Sequence, residues 1–366
     1  MDPEDRSSAP VAPGRTPVTV PFRSLSEDLP GAGWAKVFWS GWPGWSKWLG
    51  DRAGGSADLD RALRALRRFM PELVPVWERL ALVTGADARA ARFLTFWSPP
   101  RYIVHCSQAV VVDADGPALI RNYDLDPAFN EGFLFRTAWL GRPVMGMVDG
   151  LSGLADGVNS SGLAVSLAFG GRPDVGPGFG VPLIMRYLLE VCRDTADAIE
   201  AVRRLPCHMS YNLTLIDRDG RHGTVMLAPD RPAIVTAARH ATNHQLGVEW
   251  PKHGRDSRTL EREAFLAEAV AGGRADATTL RRRFLAPPLH SRRYGEGFGT
   301  IYTALYRPAA GSVEIAWPGI EPIRQRLDAF ASGVRRITFT DSRDPREVVP
   351  EGHGLPGATE ERNPTP

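Results

Sequence analysis

Cys106-Ser107-Gln108-Ala109-Val110-Val111-Val112-Asp113-Ala114-Asp115-Gly116-Pro117-Ala118-Leu119-Ile120-Arg121-Asn122-Tyr123-Asp124 reads as two short strands about one tight turn. Residues 109–113 carry a β-branched run, Asp115-Gly116 is a turn dipeptide, and 118–122 return as the second strand. A connection this short pairs its strands antiparallel. The layout recurs downstream: 154–158 and 163–169 flank Asn159-Ser160-Ser161-Gly162, 213–217 and 224–228 flank Arg218-Asp219-Gly220, and 301–306 and 312–317 flank a Pro-Ala-Ala-Gly turn. Helical patterns lie between the pairs at 181–192, 195–205, 257–270 and 278–284. Strand pairs with helices set between them predict α+β layers of antiparallel sheet and not a strict βαβ alternation.

Upstream the texture differs. Leu59, Leu63, Leu66 and Met70 form one apolar helical face over 56–70, with Ser56 as N-cap. Helical patterns resume over 72–83 and 87–96, and Pro99-Pro100 ends them. Five tryptophans crowd between Trp34 and Trp48, broken by Gly41, Pro43 and Gly44. They read as an aromatic cluster packed on the body of the protein, with a membrane-interface wedge and a lid over a lipophilic substrate as the sharper alternatives. Pro, Gly, Ser and mixed charge dominate 1–33 and 342–366, which are expected to be loose tails.

Composition narrows the function. A chain of 366 residues with 43% hydrophobic and 23% charged residues can bury a sizeable core. A net charge of +2 supplies no basic footprint for nucleic acid. Three cysteines cannot make a disulfide framework, no run of eighteen apolar residues exists, and the N-terminus lacks the layout of a secretory signal, so a cytoplasmic protein without an integral membrane segment is expected. Zinc-ligand spacing, a Gly-x-Ser-x-Gly elbow and a phosphate-binding glycine loop are all missing from the sequence, and neither metal nor cofactor is expected.

Cys106 begins the sheet-forming half, and the hairpin folds Arg121 and Asp124 back toward it. An Arg and an Asp three apart beside a cysteine can hold a charged group in place. The plainer readings are a small buried hydrophobe for Cys106 and a surface ion pair for the others. Cys192 and Cys207 have no such company and read as structural. Further along stand Gly157-Val158-Asn159-Ser160-Ser161-Gly162-Leu163, Asn212-Leu213-Thr214-Leu215-Ile216-Asp217 and Thr242-Asn243-His244.

In the order and spacing of these pieces, from Cys106 to about Arg262, the chain resembles the N-terminal-nucleophile (Ntn) cysteine hydrolases. It resembles in particular the acyl-coenzyme A:6-aminopenicillanic acid acyltransferase family (peptidase family C45), and more distantly the choloylglycine hydrolases. The resemblance implies a four-layer αββα sandwich made as a zymogen that cuts itself between His105 and Cys106. The 105- and 261-residue fragments would be about 11.5 and 28.5 kDa, in proportion to 40.0 kDa. It implies 34–105 as a helical propeptide or small subunit, 106–341 as the catalytic domain, and a heterodimer of the two fragments, with homo-oligomerisation left open.

The implied activity is hydrolysis or acyl transfer through an acyl-thioester on Cys106, on a small-molecule amide or acyl-thioester substrate. An N-terminal cysteine suits this because its α-amine, with a pKa of about 7.7 to 8.0, can act as base for its own thiol, with a pKa of about 8.5. By resemblance Arg121 and Asp124 position thiol and amine, and Asn243, helped by Asn159, binds the oxyanion. Arg258 is the expected second arginine, with Arg262 competing, and Tyr211 and Asn212 line the substrate pocket. The residues themselves leave simpler roles open: a turn residue at Asn159, a loop amide at Asn243, an exposed helix arginine at Arg258, and strand packing at Tyr211 and Asn212. Two rival functions also stand, an uncleaved, non-catalytic homologue that binds a ligand or partner and a thiol enzyme with a histidine base.

Overall fold

A computed structural model describes residues 17–50, 56–273, 275–296 and 298–341. Its strands are β1 Val18–Ser26, β2 His105–Asp113, β3 Gly116–Leu125, β4 Phe133–Thr137, β5 Val144–Asp149, β6 Gly153–Asn159, β7 Leu163–Phe169, β8 Tyr211–Asp217, β9 His222–Leu227, β10 Ile234–Thr236, β11 His240–Ala241, β12 Gly299–Arg307, β13 Ser312–Trp317, β14 Ile320–Arg326 and β15 Gly333–Phe339. The helices are α1 Ala32–Leu49, α2 Ser56–Phe69, α3 Val74–Thr84, α4 Ala88–Phe93, α5 Val181–Val191, α6 Thr195–Arg203, α7 Pro251–Asp256, α8 Thr259–Val270 and α9 Ala277–Phe284. All four expected hairpins form, and the expected helices appear close to their predicted bounds, with α2 starting at Ser56 itself.

The strands make two sheets. One has the order β10-β9-β8-β7-β6-β5-β4-β1-β15 and the other β11-β2-β3-β12-β13-β14. Helices α5 and α6 cover the first, α8 and α9 cover the second, and β2 and β3 face β7 and β8. This is the αββα sandwich the sequence led us to expect. The two-residue period of β2 and β3 assigns their side chains to layers. Ala109, Val111, Ala118 and Ile120 join Leu266, Leu280 and Phe284 beneath the helices. Cys106, Val110, Leu119 and Tyr123 join the main core on the inner face.

The N-terminal region corrects one expectation. Within the supposed tail 1–33, β1 pairs parallel with β4 and antiparallel with β15, so this segment is part of the large sheet. Val20, Phe22 and Ser24 are buried and alternate with more exposed residues, the period of a half-buried strand. Pro21 hid the pattern; it is tolerated because pairing with β4 begins only at Arg23. Helix α1 runs through Gly41, Pro43 and Gly44 without a break. Trp34 and Phe38 are fully buried in it and Phe38 stacks on Trp42 at 5.4 Å, so packing of the aromatic face overrides the weak helix formers. The expected tail 342–366 and residues 1–16 lie outside the described residues. Among the described residues no helix is long and apolar enough to cross a membrane.

Candidate active site

Strand parity decides what surrounds Cys106. Its side chain points between the sheets and is fully buried. Arg121, on the same inner face, donates from Nη2 to Cys106 Sγ at 2.7 Å. Arg121 Nη1 donates to Asp156 Oδ2 at 2.8 Å and to the Ala155 carbonyl at 2.9 Å, across to β6 of the other sheet. Asp156 also accepts from the hydroxyls of Tyr302, at 2.7 Å, and Tyr306. Burial pushes the thiol up to about 11, although Arg121 pulls the other way. The thiol is therefore protonated at neutral pH.

The backbone of Cys106 is gripped as closely as its side chain. Its N–H donates to Asn243 Oδ1 at 3.1 Å, and its carbonyl accepts from Arg262 Nη1 at 2.7 Å. Arg262 also donates to Ser107 Oγ at 2.8 Å and, through Nη2, to Asn243 Oδ1 at 2.5 Å. The Asn243 amide donates to the carbonyls of Val104 at 3.3 Å and Phe169 at 3.1 Å. Asn212 fixes the loop that carries Asn243 by donating to the Thr242 and His244 carbonyls, and Thr259 accepts from the Asn243 N–H. Asn212 is thus a support for Asn243.

Asp124, three residues after Arg121, has the opposite parity. It faces the helix side, where its carboxylate accepts from Thr300 and lies 3.9 Å from Arg262. Burial raises it to about 6 despite Arg262. Arg121 and Asp124 therefore approach Cys106 from the two faces of one sheet. Tyr211 donates to the Tyr102 carbonyl at 2.7 Å and, with Trp45, Trp48, Tyr102 and Met209, lines a narrow crevice.

Two expected site residues stand elsewhere. Asn159 donates to the carbonyls of Leu189 and Cys192 and accepts from the Leu163 N–H, so both amide hydrogens are used in holding the β6–β7 turn against α5. It is not brought to Cys106. Arg258 precedes α8 with φ 51° and pairs with the exposed Glu261. Arg262, one turn later, shares a buried face with Leu266 and Val270 and takes the place next to Cys106. Arg258→Ala is expected to leave turnover within about twofold of wild type, whereas Arg262→Ala loosens Asn243 and Cys106 together and should lower it about 100-fold or more. Kinetics of both variants on one amide substrate check this.

The reading of the sequence missed Asp156, Tyr302 and Tyr306. One signal was present, since an aspartate in the middle of the apolar run 154–158 has to be buried and paired. A second buried polar group links the N-terminal section to the sheets. Tyr102 and Tyr123 donate to Asp149, and Trp45 Nε1 donates to Glu131 Oε1 at 2.5 Å. Burial, with Asp149 nearby, raises Glu131 to about 8, so the folded chain holds a proton there that the unfolded chain has lost. This contribution to stability is complete below about 4.5 and disappears as pH rises to about 8. Glu131→Gln is expected to reduce the drop in unfolding midpoint between pH 6 and pH 8.5; an unchanged drop refutes the assignment.

Facing antiparallel sheets between helical layers, with a cysteine near the start of an inner strand and Arg, Asp and Asn about it, define the Ntn-hydrolase class. Residues 111–321, more than half of the chain, match the family described as acyl-coenzyme A:6-aminopenicillanic acid acyl-transferase, and the chain belongs to that family. It is thereby of the amidohydrolase and acyltransferase kind. Among solved structures it is similar to a variant of conjugated bile acid hydrolase from Clostridium perfringens, at 11% identity and TM-score 0.42, over 66% of this chain and 99% of that one. Penicillin V acylase from Agrobacterium tumefaciens matches at 14% and 0.39, over 63% and 90%. The Caenorhabditis elegans N-acylethanolamine-hydrolyzing acid amidase ortholog matches at 18% and 0.42, over 56% and 93%. No curated protein matches the sequence.

Proposed function

We propose that this protein is an amide-bond hydrolase or acyltransferase whose nucleophile is Cys106, released by cutting the His105–Cys106 bond. The observation that carries the reading is the treatment of Cys106 on three sides: Arg121 on its sulfur, Asn243 on its N–H and Arg262 on its carbonyl.

In the cut, Cys106 Sγ adds to the His105 carbonyl carbon as the thiol loses its proton. The C–N bond then breaks, the nitrogen takes up a proton to become an amine, and a thioester remains. Water cleaves that C–S bond, giving the His105 carboxyl and restoring the thiol. Departure of Val104 frees a hydrogen of the Asn243 amide for the oxyanion of later substrates. The new amine serves as base for the thiol, and the substrate's acyl group passes through a thioester to water or an amine.

Strand β1 favours retention of the first fragment, since its pairing with β4 and β15 does not depend on the cut bond. The three cysteines, all unpaired, suit the cytoplasm. Intact mass and N-terminal sequencing of the purified protein test the reading. Fragments meeting at His105 and Cys106 support it; a single uncut chain refutes it.

A further inference from the structure

The residue whose bond is to be cut is held by its side chain as well as by its backbone. The His105 ring stacks on the His253 ring of α7 at 4.9 Å and 12°, and meets Phe298 edge to face at 4.4 Å. His253 is stacked in turn on Trp250 at 5.3 Å, and Phe169 stands edge-on to it at 5.0 Å. His253 is 6% exposed, yet neither of its ring nitrogens has a hydrogen-bond partner among the described residues. A buried polar ring without partners is costly and calls for a reason. What the ring makes instead are aromatic contacts, with His105 and Trp250 stacked nearly parallel to it and Phe169 edge-on. Burial pushes His253 down to about 4, with Arg262 adding to the effect, and burial likewise lowers His105, so at neutral pH two uncharged rings are stacked without repulsion.

The backbone contacts complete the picture. Asn243 bridges the segment, accepting from the N–H of Cys106 and donating to the carbonyl of Val104, while β3 pairs Asp124 with His105. Those contacts fix the peptide units on either side of His105. Rotation of His105 about its own Cα is restrained by its ring. Attack by Sγ needs the His105 carbonyl carbon in one orientation, and restraining that orientation before the reaction is what lowers the barrier of an intramolecular step.

We propose that His253 and Phe298 form a ring clamp on His105, which positions the scissile carbonyl for the attack by Cys106 in self-cleavage. His253 is a positioning residue acting through His105 and exchanges no proton. The clamp rests on the self-cleavage proposed above. In the step it assists, the S–C bond to His105 forms, the C–N bond to Cys106 breaks, and the thiol proton ends on the freed nitrogen.

The full chain is made by cell-free synthesis with a pulse of label, and the cut is followed by the fraction of intact chain over time. His105→Gly and His253→Ala are each expected to slow the cut at least about tenfold, whereas His105→Phe and His253→Phe, which retain a ring to stack, should cut near the wild-type rate. The double variant His105→Ala/His253→Ala should be no slower than the slower of its two single variants, because one interaction is lost in all three. A merely structural role for His253 predicts multiplying effects and no rescue by phenylalanine. The His105 variants leave α7 untouched, so they decide the matter even if His253→Ala fails to fold. Wild-type cutting with His105→Gly at the wild-type rate overturns the clamp alone; a wild-type chain that never cuts overturns the self-cleavage reading and the clamp with it.

Discussion

Cys106→Ala is expected to remain one chain of 40.0 kDa under conditions where the wild type yields its 105- and 261-residue fragments. Its turnover of an amide accepted by the wild type should fall by on the order of 10⁶, the scale seen when the nucleophile is removed from a hydrolase that works through a covalent intermediate. The environment explains why so much depends on one atom. Burial holds the thiol at about 11, the peptide nitrogen of Cys106 cannot act as a base, and Arg121 supplies the charge that favours the thiolate. The proposed cut would convert that nitrogen into an amine, so that nucleophile and base reside on one residue. Cys192 and Cys207 cannot substitute, because burial holds both at about 12 and no arginine donates to either sulfur among the described contacts. Intact mass and steady-state kinetics read the two effects separately. A Cys106→Ala chain that still cuts, or retains turnover above about one-thousandth of wild type, excludes Cys106 as nucleophile.

Asp156→Asn is expected to destabilise the fold by about 3–5 kcal/mol, the usual loss when one member of a buried ion pair is removed and the other keeps its charge. Arg121 and Asp156 are both fully buried, and the pair joins β3 of one sheet to β6 of the other. The hydroxyls of Tyr302 and Tyr306 complete the carboxylate's shell, so no water is needed to satisfy it. Without that charge Arg121 stands beside Cys106 uncompensated. Measurement belongs in a Cys106→Ala background, where the chain stays in one piece and denaturant unfolding reports a single molecule. The double variant Arg121→Met/Asp156→Leu should recover much of the loss in stability, since apolar residues of similar volume can replace a buried pair at little cost. Turnover in an otherwise wild-type background should not recover, because the cation on Cys106 is gone. A loss in Asp156→Asn below about 1 kcal/mol would show that the site tolerates an unpaired Arg121.

Much of the catalytic sandwich was legible because its information is local. Turn dipeptides such as Asp115-Gly116 and alternating runs such as 109–113 act within a few residues, and the helices α5, α6, α8 and α9 carry their own apolar periods. Strands β1, β4, β5 and β15 lacked such signals. β1 exists because β4 and β15, more than a hundred and three hundred residues away, offer it edges. The same distinction separates Arg258 from Arg262. Both were candidates for a second arginine, but only the helical residue lies on the buried face; the other sits in a left-handed turn before the helix and pairs with Glu261.

By itself the sequence determined the layered α+β architecture, through turn chemistry and apolar periods; the order of its motifs, read as a family resemblance, pointed to the family and to Arg121, Asp124 and Asn243 about Cys106. Only the tertiary structure decided that Asn159 serves the β6–β7 turn, that Arg262 replaces Arg258, that Asp156 anchors Arg121, and that the rings of His253 and Phe298 close on His105. Those four facts depend on which side chains meet across two sheets and three helices. Such meetings are fixed by packing between segments far apart in the chain, where a shift of one residue in a strand or a fraction of a turn in a helix sends the same side chain to the opposite face.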